Sequence, residues 1–209
     1  MSLKTSNLPF KARVDHEVHN TIMRKAVVKA QETIGANRQK MVDELGHWEE
    51  WRDLSKQIRN HVLANLDAYL YQLSEKVIEN GGKVYFAETA EEASAYIRKV
   101  ALEKNAKKIV KSKSMVTEEI GLNEVLEKEG MQVIETDLGE YLLQISGDKP
   151  SHIVVPAIHK DRHQIRKDLS EKLGYEGEET PEDMTRFVRE KIRQDFLEAD
   201  IGISGCNFA

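Results

Sequence analysis

Two lysines and three hydroxyls crowd into one short stretch of the chain, Lys111-Ser112-Lys113-Ser114-Met115-Val116-Thr117-Glu118. Ile109 and Val110 precede it, and Ile120, Leu122, Val125 and Leu126 follow before Gly130. The polar stretch therefore reads as the turn from a strand's carboxyl end into an amphipathic helix. Open α/β sheets bind ligands at such ends, and the N–H groups of a new helix carry partial positive charge. On this reading the Lys111 and Lys113 ammonium groups, with the Ser112, Ser114 and Thr117 hydroxyls, form a pocket for a carboxylate or a phosphate. A second reading uses the same residues structurally. Ser114 or Thr117 caps the helix, Glu118 and Glu119 meet its dipole, and the lysines are solvated.

Further polar residues belong to the same edge. Asp137 and Glu140 follow the next β-rich run, where they can act as acid and base, or anchor a lysine from the neighbouring turn. Glu140 is also a candidate nucleophile, against the plainer reading of Asp137 as a cap and of a Lys113 ion pair with either carboxylate. His159 and Lys160, after Pro156, are placed to close the anion pocket. A metal site is not expected. Asp161 with Gln164 forms a capping box that puts His159 before a helix and His163 in its first turn, so the two share no helical face. His16 and His19 lie on a long charged helix. Gly202, Gly205 and Asn207 offer close backbone approach to a ligand, but the dinucleotide Gly-x-Gly-x-x-Gly turn is absent. Cys206 has no evident activating partner and reads as a buried thiol.

The elements that must hold these residues fall into two regimes. Residues 10–79 have helical periodicity, with Val18, Ile22, Ala26, Ala30 and Ile34 in one series and Ile58, Val62, Leu66, Leu70, Leu73 and Val77 in another, broken at Gly46. Trp48 and Trp51 are expected to pin the two helices together, and Gly81-Gly82 to end the second. Beyond Gly82 the period changes: residues 84–87, 108–111, 132–135, 152–155 and 201–204 are β-rich and nearly all are separated by amphipathic segments. Thr89 with Glu92 gives a capping box, and Thr180-Pro181 a cap followed by proline at the first helical position. Met184, Phe187, Val188, Ile192 and Phe196 form one stripe, and residues 174–179 read as a mobile loop. The expectation is an α/β fold with a mainly parallel sheet and flanking helices over residues 82–209, preceded by a helical region over 1–81.

With 40% hydrophobic and 32% charged residues among 209, the composition is that of a soluble protein. A net charge of −5 without a basic face argues against nucleic acid as partner. No apolar run approaches the length of a membrane span, and no signal-peptide core opens the chain, so cytoplasmic location is expected. A single cysteine excludes an internal disulfide and any cluster held by several thiolates within these residues.

Four segments in order, KSKSMVTEEIGLNEVLEKEG, ETDLGEYLLQ, PSHIVVPAIHK and EADIGISGCNFA, together with the upstream GHWEEWRDLS and GGKVYFAETAEEASAYI, resemble the amino-terminal part of the lactate-utilisation protein B family. These are iron–sulfur proteins of bacterial L-lactate oxidation that carry a LUD domain. The resemblance covers residues 10 to 209. It implies a fold similar to sugar-phosphate isomerases and CoA transferases, other lactate-utilisation subunits as partners, and 4Fe–4S clusters held by cysteine runs beyond residue 209. The chain then reads as truncated at its carboxyl end, carrying no cofactor and not catalytic alone; the family supplies no catalytic residues for it. The alternatives are an enzyme of CoA-transferase or isomerase type acting on a carboxylate or phosphate, with Lys113 binding and Glu140 reacting, and a structural docking module.

Overall fold

The computed structural model describes residues 8–152 and 155–205. Three short parallel strands, β1 (Lys108–Lys111), β2 (Gln132–Glu135) and β3 (Ile201–Ile203), form a sheet in the order β2-β1-β3. Strand alternation sends successive side chains to opposite faces. Ile109 and Val133 pack on one side with Ala101, Leu122 and Leu126, from α5 (Ala90–Glu103) and α7 (Leu122–Glu127). Val110 and Ile134 pack on the other with Tyr141, Leu142, Leu169, Val188 and Ile192, from α8 (Leu138–Ser146), α9 (Arg162–Leu173) and α10 (Pro181–Glu198). Both faces are covered, as parallel sheets require. The α/β expectation holds, with helices flanking a sheet of three strands.

The chain divides into two compact units, one taking in the described parts of Met1–Ala30 and Glu88–Ala209, the other Gln31–Ala87. Helices α1 (Phe10–His19), α2 (Thr21–Leu45), α3 (Trp48–Ala64) and α4 (Leu66–Glu79) bury no residue fully. Besides the break at Gly46, the helical stretch is interrupted at Asn20 and at Asn65. Trp48 ties α3 to α2 by stacking under the Arg38 guanidinium at 5.5 Å, and Trp51 is half exposed. The expected strand at 84–87 does not form. Tyr85 and Phe86 are exposed, and the stretch takes no regular secondary structure. The expected run 152–155 lies partly outside the described residues, and Cys206 and Asn207 lie wholly outside them.

Local signals set most helix ends. Asp161 and Gln164 form the complete capping box, and Thr180 accepts from Asp183 N ahead of Pro181. The Thr89 box is only half made: Thr89 accepts from Glu92 N, but the Glu92 carboxylate takes the N–H of Glu88. Instead of one helix after the lysine turn there are two, α6 (Met115–Glu119) and α7, because Gly121 at φ +62° breaks the run. The loop after α9 is anchored, contrary to expectation. Tyr175 is buried against Phe187, its hydroxyl donates to Glu178 O at 2.6 Å, and its own carbonyl accepts from Ser170.

Candidate functional site

Lys111 and Glu135 are the last residues of β1 and β2 and are register partners. By alternation each shares a face with the buried residue two before it, Ile109 and Val133, so both point into the layer holding α6 and α7. Lys111 is fully buried, and its Nζ lies 2.7 Å from Glu135 Oε1. The same oxygen accepts from Asn123 Nδ2 at 2.7 Å. Lys111 is therefore not a solvated turn residue; its charge is compensated inside the fold.

Glu140 is the third residue of α8 and only 5% exposed. Burial, followed by the charges of Glu118 and Glu135 and the hydrogen bonds it shares with them, pushes its carboxyl up to about 8. It thus keeps its proton near neutral pH and acts as a donor among carboxylates. Lys113 Nζ, at 3.9 Å from Glu140 Oε1, is the partly exposed cation of the pair of turn lysines. Lys113 thus stands next to Glu140, as the ion-pair reading expected, but the two are oppositely charged only when Glu140 loses its proton, above about pH 8.

The remaining candidates have structural tasks. Ser114 is fully buried and caps α6, accepting from Thr117 N at 3.2 Å, while Thr117 Oγ1 donates to Ser114 O. Asp137 caps α8 through the N–H groups of Gly139 and Glu140. Ser112 joins the end of β1 to the end of β3 and the residue after it, its N–H donating to Ile203 O and its hydroxyl to Ser204. Gly205 serves this packing too, its backbone lying against the Ser114 side chain with no room for a Cβ. His159 is hydrogen bonded to Ser151 at 2.8 Å. Burial alone would depress Lys160, but the hydrogen bonds it donates to Asp148 and Asp168, each at 2.5 Å, outweigh it and raise the ammonium group above its ordinary value. His163 pairs with Glu179.

An open cleft of about 500 Å³ lies along this edge, in the range of small-ligand sites. Of the nine residues expected to bind an anion, Lys111, Thr117 and Glu140 line it; Ser112, Lys113, Ser114, Asp137, His159 and Lys160 do not. Its other walls include Glu118, Asn123, Glu124, Glu127, Glu135, Asp148 and Lys149. Glu118, Asn123 and Glu135 were not singled out from sequence as site residues. Register reasoning offers the missing signal: a charged residue two beyond a buried apolar one, on each of two neighbouring strands, marks a buried pair. Among the described residues no group of three or more His, Cys, Asp or Glu is placed to hold a metal ion.

The LUD domain model matches residues 70–209, and the chain belongs to the LUD domain family. It is 71% identical over all 209 residues to the uncharacterized electron transport protein YkgF of Escherichia coli (strain K12). It is 57% identical to lactate utilization protein B of Bacillus cytotoxicus and 54% identical to that of Oceanobacillus iheyensis, again over its whole length. In each case it spans 44% of the relative. No solved structure matches the chain.

Proposed function

We propose that this chain is the LUD portion of a cytoplasmic electron-transfer subunit that serves the oxidation of L-lactate to pyruvate together with other lactate-utilisation subunits. The observation that carries this reading is the 57% identity to a lactate utilization protein B sustained across every residue of the chain, with electron transport in the name of the 71% identical relative. The family's iron–sulfur clusters do not fit the residues present. A 4Fe–4S cluster takes several thiolates, and the sequence has one, Cys206, so no redox step is assigned here. Binding and docking remain for this chain. The exposed apolar side chains of the helices, among them Trp51, Ile58, Leu70 and Leu73, support a docking role, and no described helix is long and apolar enough to cross a membrane.

A second reading rests on Glu140. A carboxyl that retains its proton near neutral pH at a parallel sheet's edge is suited to act as a general acid, and Lys113, 3.9 Å from it and outside the acidic cleft, would be the contact for a small carboxylate or phosphate at the turn. That protonation disfavours a nucleophilic role for Glu140.

The primary reading is tested by a chimera in which this chain replaces the corresponding segment of Bacillus cytotoxicus lactate utilization protein B. The chimera should restore growth on L-lactate to a strain lacking that protein. A stable, well-expressed chimera that supports no growth would contradict the reading.

A further inference from the structure

The cleft beneath the turn favours positive charge, opposite to what the lysines in the sequence suggest. Carboxyl groups outnumber ammonium groups on its walls six to two, with Glu135 paired to Lys111 and Asp148 to Lys160. Three buried oxygens on these walls, Asn123 Oδ1, Glu135 Oε2 and Glu140 Oε2, accept no hydrogen bond among the described residues, and the buried Lys111 Nζ, 2.7 Å from Glu135 Oε1, makes no well-aligned one either. Their residues are joined, Asn123 donating to Glu135 and Glu140 sharing a hydrogen bond with Glu135. The proton on Glu140 can serve one of the three oxygens. Lys111 Nζ sits beside Glu135 Oε1 rather than on these atoms, so the remaining acceptors gain from a further donor, because a desolvated acceptor left without one is destabilising.

We propose that this cleft is a binding site for a primary ammonium group, carried by a small organic amine or by a lysine side chain of a partner protein. An ammonium group brings three N–H donors and one positive charge, matching three acceptors set among excess carboxylates. A metal ion is the poorer fit, since the carboxylates do not converge as ligands. Glu140 is faced by Glu135 from the sheet, itself paired with Lys111, by Lys113 from the turn and by Glu118 from α6. An incoming cation beside it favours the ionised form, so ammonium binding releases the Glu140 proton below about pH 8. The site does not depend on the lactate reading, and growth of the chimera neither supports nor opposes it.

Calorimetric titration of the 209-residue chain with propylammonium chloride tests the site, with tetramethylammonium, which has the charge but no N–H, as control. Saturable propylammonium binding is expected, about tenfold tighter at pH 9 than at pH 7 as Glu140 ionises, with no saturable binding of tetramethylammonium. Glu140→Gln, which keeps the shape and removes the titration, should abolish the pH dependence. Nα-acetyl-lysine amide separates the sources: tighter binding than propylammonium points to a protein side chain, and equal or weaker binding to a free amine. Absence of saturable propylammonium binding at both pH values, equal binding of tetramethylammonium, or an unchanged pH dependence in folded Glu140→Gln would overturn the assignment.

Discussion

Lys111 and Glu135 meet at 2.7 Å across the carboxyl ends of two adjacent parallel strands, and neither side chain reaches solvent to any useful extent. Buried ion pairs are sensitive to the loss of one partner, because the survivor keeps its desolvation cost without its counter-charge. Lys111→Met or Glu135→Gln alone should destabilise the protein by about 3–5 kcal/mol in urea denaturation. The double variant Lys111→Met with Glu135→Leu should recover most of that loss. Equal damage from single and double variants would show that the pair is not the source of the effect.

Glu140 gives the fold a pH dependence of definite sign. Its folded value of about 8 lies above the ordinary 4.5, so between these values the folded state binds more protons than the unfolded chain. Stability from this group is therefore present at the acidic end of the window and falls as pH rises toward 8, with a limiting slope of about 1.4 kcal/mol per pH unit. Asp148, held below its ordinary value by Lys160 despite its partial burial, acts in the opposite sense and only in acid. Denaturation of the parent and of Glu140→Gln at pH 6, 7 and 8 should show a falling series for the parent and a flatter one for the variant.

How far the sequence reached can be seen in these residues. Caps were legible because they are local: Asp161 with Gln164 and Thr180 with Pro181 each specify a helix start within four residues, and Asp137 took the plainer of its two roles. Strands 108–111 and 132–135 were legible as β-rich runs. The run 84–87 has equal β-propensity but does not join the sheet of the described residues, which no local signal reports. The charge balance of Lys111 was hidden for the same reason, since Glu135 meets it only through strand register.

Ser114 and Gly205 pack so closely that a Cβ at Gly205 would overlap the Ser114 side chain. Overpacking of this kind destabilises by about 1–3 kcal/mol, and that loss is expected for Gly205→Ala in thermal or chemical denaturation. Adding Ser114→Gly should recover part of it, although the α6 cap is then lost. No recovery would place the damage elsewhere than in this contact.

Ile58 and Leu73, on α3 and α4, are 56% and 60% exposed. Replacing both with glutamate should change the chain's own stability by no more than about 0.5 kcal/mol per site. If these helices dock other lactate-utilisation subunits, the same variant should lose association in co-purification from cells that express those subunits. Retained association at unchanged stability would remove the helices from the docking surface.

The most direct measurement of the central claim is the rate of L-lactate-dependent pyruvate formation in extracts of a strain whose own lactate utilization protein B has been replaced by the chimera carrying this chain. The account predicts a rate comparable to that of the intact relative, and none from the 209-residue chain expressed alone. An expressed, folded chimera giving no pyruvate above the deletion strain, or full activity from the 209 residues alone, would contradict it.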